Sequence, residues 1–268
     1  MRSILLKTLI KYRLNERVRG GYRLARLLAR DLKSTPIQIN GYTPLYVDLS
    51  ELDEHAMSLY RAAPLPEVPH ERALTEVFRQ IVKPSDTVFD VGANLGLHSL
   101  TFSKLAQQVV AFEPNRALLP NLRRTIEHLP NVMLQEICLS ETDGTVEFHV
   151  SEWDHMLGSL ANWTGQPTKT IAVPARALDS LIAEGAVPKP HVLKVDVEGA
   201  ELLVFRGAEQ LLSGPDAPRA IVFEELNSAS RKLGIADGGA AEFLRARGYS
   251  IEVITDPPAA NLLATKKF

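Results

Sequence analysis

The sequence predicts an α/β protein with a mostly parallel sheet that is covered by helices on both faces. Apolar runs typical of strands alternate with helix-like segments from residue 87 onward, as they do in βαβ units. A length of 268 residues with 45% apolar residues suffices for one large α/β domain. The turn at 256–258 is too short for a crossover helix, so the last two strands are expected to pair antiparallel.

Seven strands are predicted from short runs of β-branched and other apolar residues. They cover residues 87–91, 108–112, 132–139, 191–195, 220–223, 249–254 and 261–265. Helices are predicted between them at residues 97–106, 115–128, 199–212 and 238–247. Residues 140–178 interrupt the alternation, and we interpret them as an inserted ribbon over the top of the sheet.

The chain is predicted to have three parts. Residues 1–35 form a basic, amphipathic helical arm, residues 36–80 form a hairpin and a helical lead-in, and residues 81–268 form the main domain. The hairpin is predicted from Asn40 and Gly41, a dipeptide that favours a tight turn between strands.

The arm has a charge opposite to that of the rest of the chain. Residues 1–33 hold ten basic and two acidic residues, a net charge of +8, whereas the remaining 20 basic and 30 acidic residues give −10. Apolar residues recur at every third or fourth position and indicate one helix face, with a kink at Gly20 and Gly21. The first hypothesis packs this face on the body. The second is a peripheral contact of residues 1–33 with an anionic membrane.

Nucleic acid is disfavoured as a partner. The arm lacks the interleaved aromatic residues on which single-strand binders stack bases, and the acidic body opposes a phosphate backbone.

The single cysteine, Cys138, excludes an intramolecular disulfide and a zinc site made of cysteines. We interpret it as a core residue in a reducing compartment. No apolar run is long enough for a membrane-spanning helix, and Lys7 and Lys11 interrupt any signal-peptide core. The expected location is cytoplasmic, at most peripheral to a membrane.

The first chemical motif is the turn after the strand at 87–91. Gly92, Asn94 and Gly96 form a turn into a helix, where glycines allow a cofactor to approach the backbone closely. The spacing is not the G-x-G-x-x-G of dinucleotide folds, and Asp90 would repel a pyrophosphate. An NAD-dependent dehydrogenase is therefore disfavoured, whereas a cationic amino-acid cofactor would be attracted to Asp90.

The second motif is Glu113, which ends the next strand 17 residues after Gly96. An acidic side chain there can accept hydrogen bonds from both hydroxyls of a ribose. Taken alone, Glu113 could instead be an acid that complements a helix dipole.

The third motif is Asp196 and Glu198, two carboxylates that follow the strand at 191–195 on the same side. This arrangement suits general-base catalysis or the binding of polar hydroxyls. A divalent metal is also conceivable, but no histidine is adjacent and the ligands are too few, so no metal is predicted. The remaining alternative is that Asp196 caps a helix while Glu198 is solvated.

Further candidate residues give weaker indications. His98, at the start of the helix after the first motif, could reach the substrate or pack against a loop. Glu224 and Glu225 end a strand at the same rim, and Trp153 and Trp163 could stack on a sugar or acyl group or cover the core.

The blocks DVGANLGLHS, VVAFEPN, ALDSLI and LKVDVEGAELLVF together resemble the FkbM family of S-adenosylmethionine-dependent methyltransferases. The resemblance covers about residues 40–268. It implies a Rossmann-like class I methyltransferase fold with seven strands, of which the last is antiparallel. It also implies that Asp90, Gly92, Asn94 and Gly96 surround the methionine part of S-adenosylmethionine, while Glu113 holds its ribose.

The expected function is O-methylation of a hydroxyl on a sugar, glycan, polyketide or related metabolite. The acceptor is thus a small molecule or a glycan, and Asp196 or Glu198 is the expected general base, with His98 third. The alternative is a non-catalytic scaffold of the same fold that binds the cofactor or a membrane. The presence of Asp90, the glycine turn and Glu113 counts against it, since an inert scaffold does not need a cofactor pocket.

Overall fold

The main element of the protein is a seven-stranded sheet. The computed structural model describes residues 2–13, 21–38, 44–50, 52–63, 71–152, 154, 156–255 and 260–267. With strands numbered in chain order, the sheet consists of β3 (Thr87–Val91), β4 (Gln108–Phe112), β5 (Val132–Gln135), β10 (Val192–Val195), β11 (Ala220–Glu225), β12 (Ser250–Val253) and β13 (Ala260–Thr265). Their spatial order is β12-β13-β11-β10-β3-β4-β5.

The pairing of the strands confirms the predicted class I methyltransferase sheet. β5, β4, β3, β10 and β11 are parallel, and β13 is antiparallel to both of its neighbours, β11 and β12. The turn predicted at 256–258 lies outside the described residues. Because β3 and β4 lie beside β10 in the middle of the sheet, their carboxyl ends meet at one edge.

Helices cover both faces of the sheet, as predicted. Phe89 and Phe112 point to one face, where Phe205 packs on them, while Val88 and Val109 point to the other, beneath Phe78. The helices around the sheet are α4 (Arg72–Ile81), α5 (Leu97–Leu105), α6 (Leu119–Ile126), α7 (Leu178–Ala183), α8 (Glu201–Arg206), α9 (Glu209–Ser213), α10 (Asn227–Ser230) and α11 (Gly239–Arg245). Residues alternate between the two faces because β-strand side chains have a period of two.

Two predicted elements are each divided in the structure. The strand predicted at 132–139 splits, because only β5 belongs to the main sheet. The second half, β6 (Cys138–Leu139), pairs instead with a strand of the insertion. The helix predicted at 199–212 breaks between α8 and α9 at Gly207. There the backbone lies so close to Ser140 that a Cβ would be 2.0 Å from the Ser140 carbonyl oxygen.

Residues 140–178 contribute three strands to a second, four-stranded sheet. They are β7 (Gly144–Ser151), β8 (Gly158–Ser159) and β9 (Thr168–Arg176). The order of this sheet is β6-β9-β7-β8. It is built on a long antiparallel pairing of β7 with β9.

The N-terminal segment packs on the main domain. It comprises α1 (Arg2–Lys11), α2 (Gly21–Ala29), the antiparallel strands β1 (Thr35–Ile37) and β2 (Leu45–Val47), and α3 (Glu54–Ala62). Leu6 and Ile10 are buried in one hydrophobic cluster with Leu95 and Leu100 of the main domain. The predicted turn residues Asn40 and Gly41, and Gly20 of the predicted kink, lie outside the described residues. None of the helices in the described part of the chain has the length and apolar character needed to cross a bilayer.

Candidate active site

A cavity of about 310 Å³ lies at the carboxyl ends of β3, β4 and β10. The insertion contributes to its wall through the segment from Met156 to Gly158 and through Leu160. Six of the eight site residues predicted from the sequence line this cavity: Gly92, Asn94, His98, Glu113, Asp196 and Glu198. The other two, Asp90 and Gly96, are not among the described residues of the lining; Asp90 precedes the turn that carries Gly92 and Asn94, and Gly96 ends it.

Asp90 is completely buried on β3, and its carboxylate has partners within the protein. The Ser99 hydroxyl donates a hydrogen bond to it at 2.6 Å, and the Lys194 ammonium lies 3.2 Å from its other oxygen. Asp90 and Lys194 are register partners on the adjacent strands β3 and β10. The negative charge of Asp90 is therefore matched by a buried lysine.

Lys194 is a site residue that the sequence analysis missed. Its Nζ donates to the Gly92 carbonyl oxygen at 2.8 Å and lies 3.6 Å from Asp196 Oδ2. Burial alone would lower the pKa of Lys194, but the attraction of Asp90 and Asp196 outweighs burial and raises it above the ordinary value. Lys194 therefore stays charged and joins β3, the glycine turn and the end of β10. Its only sign in the sequence is a lysine inside a buried apolar strand, where a charge needs a partner.

Replacing Lys194 by methionine is expected to lower the free energy of unfolding by about 3–5 kcal/mol, because Asp90 would remain buried without its cation. Urea denaturation measures the change. The matched control is Lys189→Met, since Lys189 pairs with Asp216 at an exposed site and should cost at most about 1 kcal/mol. Adding Asp90→Asn to Lys194→Met should recover part of the loss. If Lys194→Met and Lys189→Met had the same free energy of unfolding, this role for Lys194 would be contradicted.

The glycine turn, residues 92–96, is shaped by close contacts within the protein. Gly92 has a φ of +77°, and a Cβ there would lie 1.9 Å from the Asp196 carbonyl oxygen. Gly96 has a φ of +89°, and its Cβ would lie 2.9 Å from a methyl carbon of Leu122. Both glycines are thus required by neighbouring protein atoms, whereas the sequence analysis ascribed them to the approach of a cofactor.

Asn94 is the residue of this turn that offers a free acceptor to the cavity. Its Nδ2 donates to the Met156 carbonyl oxygen at 3.0 Å and thereby joins the turn to the insertion. Its Oδ1 is buried and has no hydrogen-bond partner among the described residues. A buried acceptor without a partner is costly, so this atom is suited to a ligand that brings a donor.

Glu113 lies at the end of β4 with its carboxylate almost completely buried. The backbone N–H groups of Asn94 and Asn115 each donate to one of its oxygens at 2.8 Å. Burial raises the pKa of Glu113 to about 7, although these two hydrogen bonds and Lys194 act in the opposite direction. Each oxygen keeps further acceptor capacity, so the pair can still bind two hydroxyl donors.

Three carboxylates meet at the other side of the cavity. One oxygen from each of Asp196, Glu198 and Glu224 lies within 4.8 Å of the others. Burial, and then repulsion by Asp196, raises the pKa of Glu198 to about 8 and that of Glu224 to about 9. These oxygens could hold a divalent cation, accept hydrogen bonds from hydroxyls, or take up a proton. Glu225 does not share this position, because it accepts a backbone hydrogen bond from Ala241.

Three hydrogen bonds hold the loop that carries Glu198 in place. Glu198 has a φ of +53°, which is uncommon for a residue with a side chain. Glu201 is buried and accepts the N–H groups of Val197 and Gly199 at 3.1 Å, and the Ser159 hydroxyl donates to the Glu198 carbonyl oxygen at 2.8 Å. Maintaining an unfavourable conformation in this way is typical of functional sites. Glu201 was not predicted from the sequence, although its position within E-G-A-E at the start of α8 could have indicated such a contact.

His98 lies at the rim of the cavity and is also packed. Its Nε2 is 3.2 Å from the carboxylate of Glu71, a third residue that was not predicted from the sequence, and its ring makes an edge contact with Phe78. Cys138 also lines the cavity, and burial raises the pKa of its thiol to about 12, so it is unreactive near neutral pH. Trp163 is half-buried and is not among the described residues of the lining, and Trp153 lies outside the described residues.

The cavity fits the cofactor that the sequence resemblance implies. S-adenosylmethionine carries an ammonium group, two ribose hydroxyls and a positively charged sulfur, so it brings donors and positive charge. The protein offers the free Oδ1 of Asn94, the carboxylate of Glu113 and the 42%-exposed side chain of Asp196. This set of acceptors complements such a ligand and would repel a pyrophosphate.

Comparison with known proteins gives one family match and two curated relatives. The family model described as Methyltransferase FkbM domain matches residues 90–251. The chain is 32% identical over 147 residues to hexuronic acid methyltransferase AglP of Haloferax volcanii, an alignment that covers 53% of this chain and 58% of the relative. It is 28% identical over 159 residues to 2-O-methyltransferase NoeI of Sinorhizobium fredii, with 52% and 65% covered. The chain therefore spans less than two thirds of either relative.

Among solved structures, the chain is similar to methyltransferase FkbM from Methylobacillus flagellatus KT. The superposition has a TM-score of 0.49 at 16% sequence identity. It covers 79% of this chain and 55% of that chain.

Proposed function

Because this chain belongs to the FkbM methyltransferase family, we propose that it transfers a methyl group from S-adenosylmethionine to a hydroxyl oxygen of a sugar or glycan. The observation that carries the proposal is the cavity itself, which the acceptors of Asn94 and Glu113 line together with the carboxylates of Asp196 and Glu198. The names of the two curated relatives, one for hexuronic acid and one for a 2-O position, support a sugar oxygen as the acceptor.

The cofactor would be held by residues on three strand ends. Glu113 would accept the ribose hydroxyls, and Asn94 Oδ1 and Asp196 would accept the ammonium group. When bound, S-adenosylmethionine supplies a methyl group on a sulfonium, which is already a good leaving group. The protein's main contribution is therefore to hold the acceptor oxygen in line and to remove its proton.

Glu198 is the proposed general base. Lys194 lies 3.6 Å from Asp196 and pairs with that carboxylate, which is assigned to the ammonium group of the cofactor. Glu198 shares its place with Asp196 and Glu224, and burial raises its pKa to about 8, so its charged form takes up a proton more readily than an ordinary carboxylate does. Glu198 would take up the proton of the acceptor hydroxyl, while bound S-adenosylmethionine would give its methyl group to that oxygen and leave as S-adenosylhomocysteine, with its methyl–sulfur bond broken.

His98 remains the third candidate for the base. Its Nε2 contacts the carboxylate of Glu71, so that nitrogen is already engaged. We assign His98 and Glu71 to positioning the acceptor.

The non-catalytic scaffold remains the competing hypothesis. The free Asn94 Oδ1, the strained Glu198 and the group of carboxylates with raised pKa values all carry a cost in stability. A protein that only binds a partner would gain nothing from these features, so they favour catalysis.

The charge of the cavity predicts which acceptors are preferred. Glu71, Asp196, Glu198 and Glu224 line it, while Lys194 is the one Lys or Arg of the described lining and its ammonium is already engaged. Above a pH of about 9, where Glu198 and Glu224 are both charged, a neutral hexoside is therefore expected to exceed the corresponding hexuronate in kcat/KM by at least about tenfold, since like charges repel. Transfer of labelled methyl groups from S-adenosylmethionine to the two acceptors, with products identified by mass, measures the ratio.

At the same pH, the variant Glu224→Gln should narrow this preference, because it removes one of the repelling carboxylates. Glu225→Gln, on the same strand but outside the cavity lining, is the matched control and should leave the ratio unchanged. Faster methylation of the uronate by the unaltered protein would contradict the electrostatic part of the proposal. Failure to label any acceptor in a panel of sugars, glycans and cell extract would contradict the proposed reaction.

A further inference from the structure

The two N-terminal helices carry most of the large apolar side chains that the described residues expose. Five of the seven lie on α1, on α2 or directly after α1: Ile4, Leu5, Tyr12, Leu24 and Leu27. The other two, Met133 and Val253, lie on β5 and β12 at opposite edges of the main sheet. Ile4 is 72% exposed and Leu27 is 65% exposed. Scattered exposed side chains need no explanation, but such a concentration on two neighbouring helices marks an interaction surface.

These side chains are not needed for the core, because each helix already has a buried face. The buried residues are Leu6, Leu9 and Ile10 on α1, and Ala25 and Ala29 on α2. They pack with the hairpin of β1 and β2 and with α3. The two helices also pack against each other. Their exposed apolar side chains therefore lie on the side away from the body.

Positive charges surround the same apolar side chains. Lys11, Arg13, Arg23 and Arg30 are exposed on these helices or directly after them. Arg23 and Leu27 on α2 and Arg30 directly after it are four and then three residues apart, so they follow one side of the helix. Apolar residues flanked by Lys and Arg are typical of helices that lie in the headgroup region of an anionic bilayer. We call these four basic and five apolar residues the exposed arm face.

We propose that the exposed arm face docks the protein on a membrane surface that contains anionic lipid. With 10 residues in α1 and 9 in α2, the helices are too short to cross a bilayer, so the contact is peripheral. The charge distribution also sets the orientation, because anionic lipid attracts the +8 of residues 1–33 and repels the −10 of the remaining residues.

Other occupants fit this surface less well. A second copy of the chain would bring two positively charged faces together. Nucleic acid would leave Ile4, Leu5 and Leu27 without an apolar partner, since its affinity comes from phosphate contacts. A lipid surface satisfies both the charges and the apolar side chains.

Sedimentation with lipid vesicles tests the proposal on the full chain. The protein is expected to pellet with vesicles of phosphatidylcholine and phosphatidylserine in equal amounts, to stay in solution with phosphatidylcholine alone, and to be released by high salt. The double variant Leu24→Glu with Leu27→Glu should lower the partition coefficient at least about tenfold, because it removes apolar burial and adds repulsion. The double variant Arg23→Glu with Arg30→Glu should do the same.

The matched control is Met133→Glu with Val253→Glu, which changes exposed apolar residues outside the arm and should pellet like the unaltered protein. Binding of S-adenosylhomocysteine, measured for each variant, shows that the fold and the cavity are intact. Pelleting of the Leu24→Glu, Leu27→Glu variant equal to that of the unaltered protein would overturn the proposal. The proposal would also be overturned if the unaltered protein did not bind vesicles but instead self-associated or bound nucleic acid, and if the same substitutions abolished that association.

Discussion

Replacing Glu113 by alanine is expected to weaken the binding of S-adenosylhomocysteine at least about tenfold, the equivalent of about 1.4 kcal/mol. Hydrogen bonds to a charged acceptor in a dry site are stronger than those between neutral groups, and the proposed site uses this carboxylate for two ribose hydroxyls. The variant also leaves the N–H groups of Asn94 and Asn115 without their acceptor, which loosens the glycine turn. Isothermal titration calorimetry gives the dissociation constants directly.

The control separates loss of the ribose contact from general damage. Glu225 also ends a strand and accepts a backbone N–H, but it does not line the cavity. Glu225→Ala should therefore keep the affinity of the unaltered protein, and a thermal melt should show that both variants are folded. An unchanged affinity in folded Glu113→Ala would refute the ribose assignment.

The pH dependence of the same titration follows from the raised pKa of Glu113. In the free protein this carboxyl has a pKa of about 7, and hydroxyl donors favour its charged form. Binding should lower this pKa, so it should release protons near neutrality, and affinity should rise as the pH increases through about 7. Glu113→Gln should remove this part of the pH dependence of the affinity, because glutamine does not titrate. If the unaltered protein took up protons on binding and Glu113→Gln did not, the predicted lowering of the Glu113 pKa would be contradicted.

Replacing Glu198 by glutamine is expected to lower kcat by at least about 100-fold, the usual contribution of a general base. The amide keeps the size of the side chain but cannot take the proton of the acceptor hydroxyl. Because Glu198 is assigned to the acceptor rather than to the cofactor, binding of S-adenosylhomocysteine should remain. Initial rates with the preferred neutral acceptor, at saturating S-adenosylmethionine, measure the loss.

Two further variants identify which carboxylate acts as the base. Asp196→Asn should mainly weaken cofactor binding, because Asp196 is assigned to the ammonium group. Glu225→Gln should leave kcat unchanged. Full activity of Glu198→Gln would exclude Glu198 as the base. If His98→Gln then lowered kcat without raising the KM for the acceptor, His98 would be the base instead, since loss of a residue that only positions the acceptor should raise that KM.

The fold could be predicted from the sequence because its signals are local. The apolar run of β3, the turn after it and the acid at the end of β4 each lie within a few residues, and strand alternation alone indicates a parallel sheet. The division of the 132–139 strand was not predictable in this way, because Cys138 leaves the main sheet to pair with Ala175 in the insertion. That pairing joins residues far apart in sequence, and no local pattern contains it.

Residues of the cavity that directly follow a strand could be predicted from the sequence. Residues whose position depends on the packing of another element could not. The role of Lys194 depends on the pairing of β10 with β3, because this pairing brings its ammonium to Asp90. Glu71 precedes α4 and reaches the cavity through the packing of that helix, with no motif to mark it. Gly92 was correctly identified as a glycine of the turn, but the reason visible in the structure is the carbonyl oxygen of Asp196.

Parallel calorimetric titrations of S-adenosylhomocysteine and NAD into the unaltered protein test most directly the claim that this cavity is a methyl-donor site. We predict saturable binding of S-adenosylhomocysteine with one site per chain, and no heat of binding for NAD. The absence of S-adenosylhomocysteine binding at high protein concentration, or tighter binding of NAD, would contradict the account.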